Sequence, residues 1–197
     1  MTTSTLLPAT CRMALKEWAS VLMALERGEQ LVLIRKGGLI EPGSGFELLS
    51  DVFVFYPTFE HQTVNFVRPA YASYLPEALA RRAPEGQVRV EWCAKAVASV
   101  QSKNPAIINR LSAFHIYNDA FQTQRLKWQP DQPLAITIVR VFRLVSPQLL
   151  PVSPRYAGCK SWVELDTELS LGGAAPAMPE STFSQHRATL QTLLECA

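Results

Sequence analysis

Fourteen prolines punctuate this chain of 197 residues, and they limit which segments can form continuous helices or strands. Proline has no backbone N–H to donate and a fixed φ, so it tends to end helices and to disrupt central strands. Four of them, Pro57, Pro105, Pro130 and Pro151, fall at the boundaries of apolar stretches. Since 48% of the residues are hydrophobic, the segments between prolines can supply one self-sufficient core. The chain is therefore expected to fold as one compact domain of short elements.

Hydrophobic periodicity between the prolines predicts both helices and strands. Apolar residues spaced three and four apart predict a helix over 14–27, ended by Gly28. A second helix is predicted over 104–127, and a last one begins at Ser181. Runs of β-branched and aromatic residues, or alternating polarity, predict strands. These strands cover 30–36, 46–49, 52–56, 87–100, 134–145 and 156–165.

The order of these elements favours an α+β fold. Helices and strands do not alternate strictly, which argues against a doubly wound parallel sheet. We expect a mixed sheet, strongly bent or closed into a small β-barrel, with flanking helices. The expected organisation is a flexible N-terminal segment (1–12), a single α+β domain (13–165), a linker (166–180) and a C-terminal helix (181–197).

Charge and reactive residues exclude several classes of protein. The net charge is only +2, which neither requires nor excludes a nucleic-acid partner. The four cysteines and three histidines match no zinc-ligand spacing, so no metal or cofactor is expected. No stretch is apolar enough to span a membrane, and the N-terminal residues do not resemble a secretory signal. The expected location is therefore the cytoplasm.

Five segments together are similar to a known family. They are 14–18 (ALKEW), 33–38 (LIRKGG), 55–62 (FYPTFEHQ), 140–144 (RVFRL) and 156–165 (YAGCKSWVEL). The chain resembles the largely cyanobacterial family called domain of unknown function 1802 over about 13–165. This resemblance suggests a loose association with restriction–modification genes.

A weaker resemblance concerns the layout of the fold. A leading helix, a Gly28-Glu29 turn and a strand ending in Arg35 are similar to small barrels of the PUA type, named after pseudouridine synthase and archaeosine transglycosylase. Relatives of that fold bind RNA or modified DNA bases. The resemblance implies a nucleic-acid partner but is an argument from fold alone.

The candidate binding site combines cations with a polar strand exit. Glu60 and His61 can hydrogen-bond a base edge, and a helix cap at Thr58 would favour a phosphate. Two cations beside Gly37 could also hold phosphate, and a guanidinium within an apolar strand needs a partner. The site residues expected from these arguments are Arg35, Lys36, Tyr56, Glu60, His61, Gln62 and Arg140.

The sequence leaves three functions open. A non-catalytic module that binds RNA, DNA or a modified base is the leading hypothesis. The first alternative is a Mg²⁺-dependent nuclease using Asp51, Glu91 and Lys95, although Glu91 and Lys95 would lie about 13 Å apart on a strand. The second is a protein-interaction scaffold that docks a partner through the C-terminal helix. An enzymatic activity is not favoured.

Overall fold

One mixed sheet of seven strands organises the computed structural model, which describes residues 7–36 and 46–195. The order along the sheet is β2-β5-β4-β3-β1-β6, and β7 pairs with β5. The bounds are β1 (Thr10–Trp18), β2 (Val32–Arg35), β3 (Val52–Thr58), β4 (Gln87–Ser102), β5 (Leu134–Pro151), β6 (Trp162–Ser170) and β7 (Ala175–Pro176). Strands β1 and β3 are parallel, and the other pairs are antiparallel.

The predicted α+β class is confirmed, and the sheet is open. Within the described residues, β2 and β6 lie at opposite ends of the sheet and do not pair, so no barrel closes. The five α-helices described are α1 (Ala19–Glu26), α2 (Tyr74–Ala80), α3 (Ile107–Arg110), α4 (Asp119–Lys127) and α5 (Glu180–Glu195). No helix in these parts of the chain is long and apolar enough to cross a membrane.

Two separate cores stabilise the sheet. The larger core joins the sheet to residues of all five helices, including Leu22, Phe121 and Phe183. The smaller core consists mainly of strand residues, such as Val54, Val90 and Phe142.

A wide bulge in β5 accommodates a proline inside a long strand. Trp92 pairs with Arg143, but Val90 pairs with Gln148, so residues 144–147 of β5 stand opposite Glu91 alone. Pro147 lies in this bulge, where no ladder N–H is required of it. The bulge also disturbs the β4 register beside Glu91, a residue of the site described below.

The predicted helix over 14–27 is wrong in its first half. Residues Thr10–Trp18 form β1, and only Ala19–Glu26 form α1, followed by Gly28 with φ of +71°. β1 lies inside the sheet between β3 and β6 and is buried on both faces, since Ala14 belongs to the smaller core and Leu15 to the larger one. Its polarity therefore does not alternate, and the spacing of Leu15 and Trp18 resembles that of a helix although the backbone is extended. Residues 10–12 of the predicted flexible segment consequently belong to the sheet.

Other boundaries differ for local reasons. The predicted helix over 104–127 divides into α3 and α4, because Asn118 accepts hydrogen bonds from the N–H groups of Ala120 and Phe121 and caps a new helix. Residues 46–49 form no strand. The strand predicted over 156–165 is β6, which begins at Trp162 and runs to Ser170, into the predicted linker. Phe46 instead stacks on Trp162, with ring centroids 6.0 Å apart. The predicted glycine turn at 37–38 lies outside the described residues.

Candidate functional site

A cavity of about 480 Å³ lies where β3 ends, beside the part of β4 that faces the β5 bulge. Residues from α1, the end of α2 and the segment 152–158 complete its wall. Its charged and aromatic lining consists of Lys16, Glu26, Phe55, Tyr56, Phe59, Glu60, Arg81, Arg82, Arg89, Glu91, Trp92 and Tyr156. The cavity thus brings two of the seven predicted binding residues, Tyr56 and Glu60, together with charged and aromatic residues outside that predicted set.

Lys16 fixes one wall of the cavity. Its ammonium donates hydrogen bonds to the carbonyl oxygens of Tyr156 and Gly158, the latter at 3.0 Å. It also lies 5.8 Å from the centroid of the Tyr56 ring. Burial lowers the pKa of Lys16, while the nearby Glu60 carboxylate opposes that shift. Lys16 therefore holds the 156–158 segment against β1 and remains close to Glu60.

The two tyrosines of this wall pack edge to face. The ring centroids of Tyr56 and Tyr156 are 6.0 Å apart. The Tyr156 hydroxyl accepts a hydrogen bond from the Asp166 N–H at 2.7 Å, which ties that ring to β6. Burial raises the pKa of Tyr56, so its hydroxyl stays protonated at neutral pH. The wall is consequently an aromatic surface of fixed orientation.

Two ion pairs form the opposite part of the lining. Arg81 pairs with Glu26 at 2.6 Å, and this contact connects the end of α2 to α1. Arg89 pairs with Glu91 at 2.8 Å across the disturbed part of β4. The Arg89 Nε is buried and has no hydrogen-bond partner among the described residues. These pairs orient four charged side chains around the cavity.

Glu60 and Arg82 also line the cavity but take no part in these two ion pairs. The Arg82 guanidinium lies over the Phe59 ring, 5.1 Å from its centroid. Glu60 follows Phe59 directly and is exposed. In the described parts of the chain, no hydrogen bond or ion pair engages the Glu60 carboxylate or the Arg82 guanidinium. One carboxylate and one guanidinium are therefore available to a ligand.

His61 and Gln62 turn away from this arrangement. His61 is exposed and adopts a left-handed conformation with φ of 61°. The Gln62 side-chain oxygen accepts a hydrogen bond from the Ser20 N–H at 3.2 Å, at the start of α1. Its amide nitrogen is buried and has no partner among the described residues. Gln62 therefore helps to seat the start of α1.

The helix cap expected at Thr58 does not form. Thr58 is the last residue of β3, and its hydroxyl donates to the Glu17 carbonyl oxygen at 3.1 Å. No helix follows directly, because residues 59–63 are irregular. The predicted anion site of helix N–H groups is therefore absent at this position.

Arg35 and Lys36 have partners within the protein. The Arg35 guanidinium pairs with the buried Glu17 carboxylate at 3.3 Å. The buried Lys36 ammonium donates to the carbonyl oxygens of Leu126 and Trp128, at 3.3 and 2.8 Å, and so caps the end of α4. Lys36 also borders a second cavity of about 430 Å³, which Lys103 and Asp131 share.

Arg140 lies beneath the start of α5. It forms an ion pair with Glu180 at 2.9 Å, and its guanidinium lies 4.6 Å from the centroid of the Phe183 ring. Its Nε and one terminal nitrogen are buried without a partner among the described residues. The partner that this guanidinium needs is therefore Glu180, within the protein itself. Through this contact and Phe183, α5 packs on its own sheet.

The residues of the nuclease alternative do not converge. Lys95 is paired in register with Val52, and the Asp51 carbonyl oxygen accepts a hydrogen bond from the Ala96 N–H at 2.7 Å. Glu91 lies five residues before Ala96, which corresponds to about 16 Å along the strand. Among the residues described, no group of three or more His, Cys, Asp or Glu side chains is placed to hold a metal ion.

Sequence reasoning missed most of the cavity because its lining comes from distant segments. Glu91 was considered only for the nuclease alternative, and Arg81, Arg82, Arg89 and Trp92 belong to no recognised motif. Their approach to β3 depends on the β3–β4 pairing and on the chain between these strands. One usable signal was the adjacency of Phe59 and Glu60 directly after a buried strand.

These features define an open, mixed α+β sheet with a charged and aromatic cavity at the exit of β3. The chain belongs to the DUF1802 family, described as a domain of unknown function, which matches residues 14–189. No curated protein matches the chain.

Three solved structures of ZmASCH from Zymomonas mobilis are similar to this chain at 12% sequence identity. The ASCH structure covers 78% of this chain and 86% of its own, with a TM-score of 0.45. A variant with a tyrosine replaced by phenylalanine covers 78% and 88%, with the same TM-score. A variant with a serine replaced by alanine covers 93% and 99%, with a TM-score of 0.43.

Proposed function

We propose that this protein is a non-catalytic module that binds single-stranded RNA or DNA and takes one base into the cavity at the end of β3. The observation that carries the proposal is the combination of aromatic rings and cations around a cavity of about 480 Å³. Small-molecule sites commonly occupy roughly 300–1,000 Å³, so the volume suits a nucleobase. Unstacked bases are typically recognised by stacking together with hydrogen bonds to their edges.

The lining provides both kinds of contact. Phe59, with Arg82 over its ring, supplies a stacking surface, and stacking on aromatic rings tolerates any base. Four cations and three carboxylates face the cavity, which gives it a small positive excess. The cations donate hydrogen bonds and the carboxylates accept them, which suits a base edge because it presents acceptors and donors together.

The rim offers a place for the sugar–phosphate backbone. Lys160 is exposed and follows the 156–158 segment of the wall, close enough to Lys16 to contribute to lowering its pKa. Arg155 is also exposed and lies next to Pro154 and Tyr156 of the lining. Cations at the rim can pair with phosphates without reading sequence.

Fluorescence anisotropy with labelled oligonucleotide pools tests the proposal. The probes are random single-stranded RNA, random single-stranded DNA and a duplex of matched length, each measured over a salt series. We expect the single strands to bind more tightly than the duplex. Their affinity should fall as salt rises, with a slope of about −0.7 per phosphate contact on a logarithmic scale.

A pair of charge-reversal variants locates the binding surface. Arg82→Glu removes a cation of the cavity, and Lys127→Glu makes the same change at an exposed position near the end of α4. We expect Arg82→Glu to weaken binding at least several-fold more than Lys127→Glu. Absence of binding at low salt, or equal losses in both variants, would contradict the proposal.

A further inference from the structure

We infer that the cavity selects guanine over the other bases through Glu60 and Arg82. This inference rests on the proposed function and specifies which base enters the cavity. Two charged groups of the lining remain available to a ligand. Guanine is the one base whose edges match both of them.

The other charged groups of the cavity already have partners. Arg81 is engaged by Glu26, and Arg89 by Glu91, each at less than 3 Å. Lys16 uses two of its three N–H donors on backbone carbonyl oxygens. Within the described residues, this leaves the Glu60 carboxylate and the Arg82 guanidinium without an ion pair.

The two groups line the same cavity. Arg82 lies over the Phe59 ring at 5.1 Å, and the Glu60 carboxylate lies near Lys16 and Tyr56. Phe59, Glu60 and Arg82 all line the cavity. A base that enters there meets an acceptor-only carboxylate and a donor-only guanidinium in the same cavity.

Guanine is the base whose edges suit this pair. Its O6 and N7 are adjacent acceptors, which a guanidinium binds with two parallel hydrogen bonds. Its N1–H and 2-amino group are adjacent donors, which can bind the two oxygens of one carboxylate. Adenine places a donor beside N7, and the pyrimidines have no pair of adjacent ring-edge donors, so each leaves a charged group incompletely matched.

The test uses short polyuridine or polythymidine carriers that contain one central guanine, hypoxanthine, adenine or cytosine. Hypoxanthine is guanine without the 2-amino group, so it isolates one hydrogen bond to Glu60. We expect the guanine oligonucleotide to bind about tenfold more tightly than the adenine or cytosine ones, since one bidentate pair discriminates by about that factor. The hypoxanthine oligonucleotide should be intermediate.

The Glu60→Gln variant tests the role of the carboxylate. Because Glu60 is exposed, we expect the variant to fold normally, and a thermal unfolding curve verifies this. It should bind the guanine and hypoxanthine oligonucleotides with nearly equal affinity, because the remaining Arg82 pair contacts O6 and N7, which both bases share. The control Glu195→Gln, an exposed residue at the end of α5, should keep the full preference.

The outcomes separate this inference from the proposed function. Preference for guanine over hypoxanthine that Glu60→Gln abolishes supports the inference. Equal binding of all oligonucleotides, preference for a different base, or preference for guanine over hypoxanthine that survives Glu60→Gln overturns it while the proposed function stands. Failure of every oligonucleotide to bind at low salt overturns the proposed function and the inference with it.

Discussion

The Arg82 guanidinium lies over the ring of Phe59, with 5.1 Å between the Arg82 Cζ and the ring centroid. These residues lie near opposite ends of the chain segment that joins β3 to β4, since Phe59 follows β3 and Arg82 follows α2. A cation stacked on an aromatic face is partly desolvated and held in one orientation. The contact gives the cavity a planar and positively charged surface next to Glu60.

Phe59→Leu should weaken oligonucleotide binding without unfolding the protein. Leucine keeps an apolar side chain at this half-buried position but removes the aromatic ring that forms the stacking surface together with Arg82. The loss should be about 1–3 kcal/mol in binding free energy, the usual contribution of one base–aromatic stack. Anisotropy with a single-stranded probe measures it, and the melting temperature serves as the control. Unchanged affinity would show that Phe59 does not contact the base.

Lys16→Met should loosen the 156–158 wall. Methionine retains the apolar stem of the side chain but cannot donate to the carbonyl oxygens of Tyr156 and Gly158. Hydrogen exchange should accelerate at the amides of 157–160, and oligonucleotide affinity should fall. Lys103→Met, at an exposed lysine of the other cavity, should change neither quantity. Unaltered exchange in Lys16→Met would mean that other contacts hold the wall.

Glu17→Ala should reduce stability more than an exposed ion-pair variant does. The Glu17 carboxylate accepts from the Trp18 N–H at 2.8 Å and pairs with Arg35 at 3.3 Å, and its side chain is only 5% exposed. Removing it leaves a poorly solvated guanidinium, which typically costs roughly 3 kcal/mol or more in the free energy of unfolding.

Glu168→Ala is the matched control for Glu17→Ala. Glu168 pairs with Arg12 at 3.8 Å, and both side chains are about half exposed. Its loss should cost less than about 1 kcal/mol. Urea unfolding measures both variants. Equal losses in the free energy of unfolding of the two variants would show that the Glu17–Arg35 pair stabilises the fold no more than the exposed Arg12–Glu168 pair does.

Stability should fall as pH decreases below neutrality because of His115. Burial lowers the pKa of this histidine, and the nearby Arg68 guanidinium also disfavours its protonated form. The Tyr117 N–H donates to its Nδ1 at 3.1 Å, an arrangement that requires an unprotonated nitrogen. In the unfolded chain the same ring takes up a proton below its ordinary pKa of about 6.5. The stabilisation is therefore complete above that pH and is lost progressively below it.

Unfolding in urea at several pH values measures this effect. The His115→Asn variant should be less stable at neutral pH and show a shallower loss of stability towards acid. His61→Asn removes an exposed histidine and should retain the slope of the original protein. An identical pH slope in His115→Asn would contradict the assignment.

Strands with strong β-branched patterns could be predicted from the sequence, whereas their partners could not. The beginnings of β3, β4 and β5 agree with the predicted strands, because Val52, Gln87 and Leu134 open clear apolar or alternating runs. Burial of β1 on both faces removed its alternation, and the cap at Asn118 divided a single predicted helix. Both features depend on tertiary or capping contacts that periodicity does not record.

The candidate site illustrates the same limit. Tyr56 and Glu60 could be singled out because they lie at the exit of a buried strand, where loops positioned by a sheet often carry function. Arg35 and Arg140 looked like ligand-binding cations, but whether such a guanidinium has an internal partner depends on tertiary contacts. Glu17 and Glu180, their partners, lie 18 and 40 residues away in sequence.

A titration of the isotope-labelled protein with a guanine-containing single strand, followed by NMR, tests the central claim most directly. If a base enters the cavity at the end of β3, the largest amide shifts should fall in 57–60, 81–83, 89–92 and 153–158. Shifts centred on the other cavity, at Lys36, Lys103 and 130–134, would contradict it. So would uniformly small shifts at protein and oligonucleotide concentrations far above those needed to saturate a specific site.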